Sequence, residues 1–414
     1  MSAGKTKLLH SLFPFQREPV ENALARKAAI LNWDTGLGKT YAAGAIMQEV
    51  GGDWLVVCPA GVVSMWEQFR AERGLRFDIT PDSQLGKVAV RKRTGIVIDE
   101  IHRFKTYDTK RTQNLRPLTR LAEFRLGLTA TLIPNDPGDV YEPCSLVYPD
   151  VFGSVWRFRE AYQAKIPDEH AHSGFVWKGV TPEGGPALAR KLSRLVSRVT
   201  KADVAHLLTP LRLHVVQEAP GIPAGTGKPF VYLTHNRARA AVLANELWPH
   251  YGSAYVLTGA LTPKKRHKEI QTWAQDDVPM VATMHCVNEG IDLTAAHTVI
   301  FDQLYWRPAT IIQAIGRFHR LNQKEPVDIY FVVRPGSIEE RIALVLKQKF
   351  KAMNQVGNAS STDTAVLNSL GAYMDKSDEE VLAALMNSVP KESTSMSGFS
   401  LNDLLDSDSD DDDD

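Results

Sequence analysis

Residues 31–50, LNWDTGLGKTYAAGAIMQEV, decide how this chain is read. An apolar run ends at Trp33, a turn with glycines at 36 and 38 follows, and Lys39 and Thr40 open an alanine-rich segment with helical spacing. A buried strand passing through a glycine turn into a helix is the building unit of a parallel α/β sheet. Glycines in such a turn let successive backbone N–H groups converge at a helix N-terminus, where the helix dipole favours an anion. Phosphate is the anion such a cradle suits.

The turn Thr35, Gly36, Leu37, Gly38, Lys39, Thr40 therefore reads as a Walker A loop for ATP, with Trp33 standing where the usual pattern has Gly or Ala. Lys39 would reach the outer phosphates and the Thr40 hydroxyl would ligate Mg2+. Taken alone, a glycine turn that merely caps a helix explains the same fragment. The discriminating stretch is TGIVIDEIHRFK, 94–105, some 60 residues downstream. Its β-branched run ends at Asp99-Glu100, which puts two carboxylates at the C-terminal end of a buried strand, where open α/β sheets bind ligands. Asp99 is expected to hold the Mg2+ and Glu100 to polarise an attacking water as general base.

Working outward, short β-type runs alternate with helical patterns. Strands are expected at 28–31, 54–58, 95–98 and 125–128, and again at 230–233, 254–257, 280–283, 298–301 and 328–332. Between the two sets, residues from about 150 to 210 are aromatic-rich and then basic, and ALARKLSRLVSRVTKADVAHLL has the look of a helical insertion. APGIPAGTGKP, 219–229, is a linker by composition. The expected organisation is an ATP-binding lobe over 1–149, a helical insertion and linker over 150–221, a second α/β lobe over 222–350 and a C-terminal extension over 351–414. One helix is expected in that extension, SDEEVLAALMNSV, and disorder from about residue 390.

Composition bounds the rest. A chain of 414 residues, 43% hydrophobic, can bury two large cores. No apolar run approaches the roughly 18 residues of a membrane span, and the opening MSAGKTKLLHSLFPF lacks a signal-peptide pattern, so an intracellular, cytoplasmic protein without a membrane partner is expected. Cys58, Cys144 and Cys286 are too scattered for a disulfide framework or a zinc site and read as structural thiols. The net charge of zero hides an asymmetry: eight aspartates lie beyond Ser400, leaving 48 basic against 40 acidic residues in the rest. A basic body is compatible with a polyanionic partner.

On these residues the chain resembles superfamily 2 helicase-type ATPases, and within them the Swi/Snf-type branch of DNA translocases. PFQREPV resembles the glutamine motif, with Gln16 placed to read an adenine edge; LVVCPAGVVSMWEQF resembles the first DNA-contacting motif; LGLTATLIPN resembles the coupling motif, with Leu132 for its usual proline. VATMHCVNEGIDLTAAHTVIFDQLYWRPATIIQAIGRFHRLNQ resembles motifs five and six, whose Q-A-x-x-R-x-x-R-x-x-Q block is carried by Gln313, Ala314, Arg317, Arg320 and Gln323. LFPFQREPV is similar to the annealing-helicase group. Trp306-Arg307-Pro308 and Asp292 depart from the branch, which has Trp-Asn-Pro and an asparagine there.

The resemblance implies two RecA-like parallel-sheet domains with ATP between them, Gly290 and Asp292 beside the nucleotide, and Gln313, Arg317 and Arg320 completing the site when the lobes close. It implies a monomeric motor, a DNA-dependent ATPase that translocates on duplex or branched DNA. The candidate contacts are Ser64 and Thr129 in the first lobe and Thr234, Lys264, Lys265, Arg266 and Thr283 in the second, directed at phosphates because a motor stepping along any sequence cannot depend on base edges. Two alternatives stay open: a strand-separating helicase, with RNA as one substrate, and an ATP-gated DNA-binding module serving a separate nuclease. The acidic tail LNDLLDSDSDDDDD, 401–414, is expected either to compete with DNA or dock a basic protein partner, or simply to keep the chain soluble.

Overall fold

Strands buried on both faces read as unbroken apolar runs rather than as alternation. Trp54–Cys58, Phe230–Thr234 and Met280–Thr283 are buried at every position. They are interior strands of two sheets in the computed structural model, which describes residues 8–133, 136–168, 171, 173–222, 229–276, 278–288, 291–355 and 361–373.

The first lobe runs α1 (Pro14–Arg26), β1 (Ala28–Trp33), α2 (Lys39–Val50), β2 (Trp54–Cys58), α3 (Val63–Arg73), β3 (Asp78–Pro81), β4 (Arg93–Asp99), α4 (Lys110–Leu121), β5 (Ala122–Thr129) and α5 (Tyr141–Val147). Then come α6 (Val155–Tyr162), a hairpin of β6 (Ala164–Pro167) and β7 (Phe175–Lys178), α7 (Gly184–Leu195), β8 (Val196–Val199) and β9 (Leu211–Val216). The second lobe follows with β10 (Phe230–Thr234), α8 (Arg237–Tyr251), β11 (Tyr255–Leu257), α9 (Pro263–Trp273), β12 (Met280–Thr283), α10 (Met284–Asn288), β13 (Thr298–Phe301), α11 (Pro308–Phe318), β14 (Val327–Val332), α12 (Ile338–Gln355) and α13 (Ser361–Tyr373).

Each lobe holds a six-stranded sheet, in the orders β3-β2-β4-β5-β1-β8 and β11-β12-β10-β13-β14-β9. Every pairing in both is parallel, so all C-terminal strand ends of a sheet share one edge. Apolar clusters cover both faces of each sheet: Trp33, Trp54, Trp66 and Phe69 on one side of the first, Phe104, Leu115 and Phe158 on the other. In the second lobe Trp273, Phe301, Phe318 and Phe331 form the larger cluster and Phe230, Tyr232 and Leu247 the smaller.

The reading of 150–221 as a helical insertion is corrected. It holds α6 and α7, but also the β6–β7 hairpin and two sheet strands: β8 pairs with β1 at the edge of the first sheet and β9 with β14 at the edge of the second. The basic, helically spaced pattern is real through Leu195, where α7 ends. Beyond it the β-branched Val196 and Val199 favour extended backbone, and a strand of four residues is too short for alternation to register. β3 was likewise not expected. The helix at 377–389, the acidic tail and Gly290 lie outside the described residues. Among those described, no helix is long and apolar enough to cross a membrane, and the three cysteines are buried and free.

Candidate active site

β1 ends at Trp33 and α2 begins at Lys39. The turn between them needs left-handed backbone at Gly36 (φ 83°) and Gly38 (φ 80°), which a residue with a Cβ enters at a cost of roughly 1–2 kcal/mol. Space is a second reason: a Cβ on Gly38 would lie 2.6 Å from Nε2 of Gln16, and one on Gly36 would lie 2.7 Å from Cγ of Arg320. The Lys39 ammonium donates to the carbonyls of Trp33 (2.7 Å) and Asp34 (3.4 Å). Burial lowers its pKa, while the charges of Glu100, Asp99 and Asp34 work in the opposite direction. Leu37 is buried, and Thr35 and Thr40 are half-buried on either side of Lys39.

Gln16 is buried in α1 behind this turn. Its Nε2 donates to the Leu37 carbonyl and its Oε1 accepts from the Phe13 N–H, both at 2.9 Å. The side chain thus braces the loop from behind, with one further donor and one further acceptor position left on its amide.

β4 delivers Asp99 and Glu100 to the same edge. Asp99 accepts from the indole N–H of the fully buried Trp66 at 2.9 Å and from the Glu100 N–H at 3.1 Å. Burial raises its pKa, with the neighbouring Glu100 adding to the effect. Glu100 itself has a left-handed backbone, φ 51° and ψ 51°, a conformation that costs a non-glycine residue on the order of 1–3 kcal/mol and clusters at functional sites. Burial would raise its pKa too, but His102, with Nδ1 3.3 Å from Oε2, and the positive charges of Lys39 and Arg317 hold it well below the usual carboxylate range. The same His102 nitrogen lies 2.9 Å from the Thr129 hydroxyl, so the end of β5 is tied to the Glu100 carboxylate through one imidazole.

The second lobe closes the site with the end of α11. Gly316 packs on Thr35 so tightly that a Cβ would sit 2.1 Å from Oγ1, and the Leu321 N–H reaches the Gly36 carbonyl at 3.5 Å. Arg320 is held from behind, Nε donating to the Gly316 carbonyl (3.0 Å) and Nη2 to the Ile291 carbonyl (2.8 Å), with Nη1 3.6 Å from Asp292. Burial works against ionised Asp292, but Arg320 and donors from Thr294 and Asn322 keep its pKa low. Burial and then Arg320 depress the pKa of Arg317, while Glu100, Asp99 and Asp292 favour its charge. Gln313 lies half-exposed on α11, and Gln323 donates to the carbonyls of Thr294, Ala296 and Phe318.

Sequence reasoning missed two cations around β8, one of which joins the halves. Arg198 on β8 donates to Asn32 Oδ1 (3.0 Å) and the Ala130 carbonyl (3.1 Å) and lies 3.5 Å from Asp34. Lys201, two residues past β8, gives its N–H to Asp34 Oδ2 (2.9 Å) and its ammonium to the His319 carbonyl (2.9 Å). Burial takes the Lys201 pKa down to about 8. His319 donates from Nε2 to the Thr209 carbonyl at 2.8 Å, which makes Nε2 the protonated nitrogen; burial and the Lys201 charge push its pKa down to about 4. The signal was present in SRVTKADV, where two cations flank β-branched residues, but was absorbed into the helical reading.

The candidate DNA contacts divide. Thr129, Thr234, Thr283 and Arg266 are buried, and the hydroxyls of Thr129 and Thr234 donate to the carbonyls of Thr131 and Asn236. These side chains lie at strand ends and on a helix, largely inside the second lobe and at the end of β5 in the first. Ser64 is half-buried on α3 and Lys265 exposed on α9; Lys264 shares that helix, its side chain outside the described set. A cavity of about 390 Å3 lined by Gly52, Asp53, Arg70, Phe77 and Asp78 sits at the opposite edge, where β2 and β3 begin, and takes no part in the site.

Residues 80–217 match the SNF2-related domain, and residues 224–322 match the helicase conserved C-terminal domain. The chain is 24% identical over 456 residues to the SWI/SNF-related matrix-associated actin-dependent regulator of chromatin subfamily A-like protein 1 of Bos taurus, covering 92% of this chain and 48% of that protein. It is 24% identical over 446 residues to the uncharacterized ATP-dependent helicase YqhH of Bacillus subtilis, covering 83% and 79%. The chain spans about half the length of its vertebrate relatives. Among solved structures, the Sulfolobus solfataricus SWI2/SNF2 ATPase core in complex with dsDNA is similar at 17% identity and a TM-score of 0.45, covering 92% of this chain and 98% of that one.

Proposed function

Because the chain is a SNF2-related ATPase with a helicase C-terminal domain, an ATP-dependent motor, we propose that it couples hydrolysis to translocation on duplex or branched DNA, remodelling forks, annealing strands or displacing bound proteins. The observation that carries this reading is the seating of Gly316 and Arg320 of the second lobe directly on Thr35 and Gly36 of the first. A site built from both lobes makes hydrolysis depend on their closure, and closure on the nucleotide. That reciprocal dependence is what a motor needs.

In this reading the N–H groups of the glycine turn and the Lys39 ammonium bind the phosphates. Magnesium suits the donors at hand, the Thr40 hydroxyl and the Asp99 carboxylate: among the described residues no cluster of three or more His, Cys, Asp or Glu forms a cage, and this ion needs only one or two carboxylates besides phosphate oxygens. When bound it would neutralise charge on the phosphate oxygens. Burial and the neighbouring Glu100 charge raise the Asp99 pKa against the pull of Lys39, so a further cation there would stabilise the carboxylate, which fits that role. Glu100 accepts a hydrogen bond from the water that attacks the γ-phosphorus. Its work is to orient and polarise that water, as a loose phosphoryl transition state requires. Arg317 and Arg320 supply positive charge as the bond to the β-phosphate oxygen breaks.

A strand-separating activity is the second reading, favoured by the exposed antiparallel hairpin β6–β7 that belongs to neither sheet. Hydrolysis rates with blunt duplex, forked and single-stranded DNA and with RNA, alongside triplex-displacement and unwinding assays, separate the two. Duplex and forks should stimulate turnover more than RNA, and a triplex strand should leave only with ATP. Stimulation by RNA alone, or no ATP-dependent displacement, would overturn the translocase reading.

A further inference from the structure

Two strands of four residues do not stand alone in water, so the β6–β7 hairpin must be anchored. Its root is Asp136, seven residues past Thr129: the carboxylate accepts from the Gly179 N–H (2.6 Å), Gln163 Nε2 (2.9 Å) and the Gly138 N–H (2.7 Å). The hairpin thus springs from the segment that begins at the Glu100–His102–Thr129 contact.

One face of it carries aromatic rings. Lys165 is register partner of Trp177, and Pro167 of Phe175. The Trp177 ring meets those of Trp156 (α6) and Phe175 edge-on, each at 5.7 Å between centroids. The Lys165 ammonium lies 4.8 Å from the Trp177 centroid and 5.2 Å from that of Phe175. Trp156 is 50% exposed, although an indole this large is normally mostly covered. The surrounding stretch, 155–195, holds seven Lys or Arg against four Asp or Glu.

We propose that this face, Trp156, Phe175 and Trp177 with Lys165, is a stacking platform for unpaired nucleobases, so that the preferred substrate is a junction or fork. The proposal rests on the DNA-motor reading above and names its substrate more finely. Lys165 lies over the rings of Phe175 and Trp177 while Trp156 stays half exposed, an arrangement that matches one nucleotide: the base stacks on Trp156, the phosphate pairs with the ammonium, and no particular sequence is required. Paired bases offer their faces only to each other, so plain duplex cannot use the platform except at an end. The net positive surroundings favour a polyanion over an acidic-depleted apolar protein surface.

The test uses the full chain and two substitutions, Trp156→Ala and Trp156→Phe, with thermal unfolding to check the fold. Affinities are measured for a blunt duplex and for the same duplex extended by oligothymidine arms. The wild type should prefer the fork; Trp156→Ala should reduce the fork-to-duplex affinity ratio about tenfold, within what removing one stacking ring costs, and Trp156→Phe should restore most of it. An equal ratio for wild type and Trp156→Ala would overturn the platform and leave the face to a protein partner. So would equal losses on fork and duplex. Failure of the motor reading looks different: no DNA would stimulate hydrolysis by the wild type.

Discussion

At Glu100 the backbone is left-handed, φ 51°, in a residue that gains nothing from that conformation unless its carboxylate must be aimed. His102 shows the aim: its imidazole, itself held by the Thr129 hydroxyl, meets the carboxylate, and the charges of Lys39 and Arg317 act on it as well. Glu100→Gln keeps the shape and removes the charge. Turnover should fall by about 10²–10⁴, the usual worth of a positioned acid or base, with ATP affinity within a few-fold of wild type. Single-turnover hydrolysis and nucleotide titration check both halves. A second residue-scale expectation concerns His319, whose pKa of about 4 lies below the ordinary 6.5 because it is buried and faces Lys201. Between those two values the unfolded chain binds the proton and the folded chain does not, so this group lowers stability as pH falls from 6.5 towards 4 and contributes no slope above 6.5. Asp34, Arg320 and Lys39 act on Lys201, its charged neighbour, which stays protonated throughout that window. His319→Gln should flatten the decline in melting temperature over the same range; an unchanged slope would place the acid sensitivity elsewhere.

At the scale of elements, α11 approaches the turn before α2 because both give up side chains at the contact. Gly316→Ala would drive a methyl to within 2.1 Å of Thr35 Oγ1, and Thr35 sits on a loop that cannot retreat without moving the phosphate cradle. Turnover should drop by up to about 10²-fold, as small misplacements in an active site do, with little change in melting temperature because each lobe keeps its own core. Adding Thr35→Gly should recover part of the loss. If the double variant were no better than Gly316→Ala, the contact would not set the closure. Arg320→Ala should cost on the order of 10³-fold, in the range of arginine fingers, and Arg320→Lys should rescue little because the fork that holds Gly316 and Ile291 is lost. These elements also show what sequence can carry. β2, β12 and β13 stand at the residues their apolar runs mark, and the glycine turn and the Asp99-Glu100 strand end are contiguous signals. Lys201 is not: its two partners lie 167 and 118 residues away, and only folding gives a lone lysine in a basic stretch that place.

For the molecule as a whole, β8 and β9 are consecutive strands in different sheets, so the chain crosses between lobes where Lys201 bonds Asp34 and His319. The crossing ties the two halves of the candidate site to each other, and a DNA track would have to span both. Charge argues how such a track is regulated. Residues 1–399 carry a surplus of eight positive charges and residues 400–414 eight aspartates and no cation, so any basic surface of the body has an internal competitor for phosphate. The tail lies outside the described residues; its covalent tether keeps its charge at a high effective concentration whatever the bulk concentration. Deleting 400–414 should tighten DNA binding, most at low ionic strength, where the Debye length is longest, and the two proteins should converge as salt approaches about 1 M. Association should also quicken, since steering by a basic body no longer works against a bound polyanion. Equal affinities for the truncated and full-length chains across the salt titration would rule out competition in cis, and the tail would then act on a basic partner or on solubility alone.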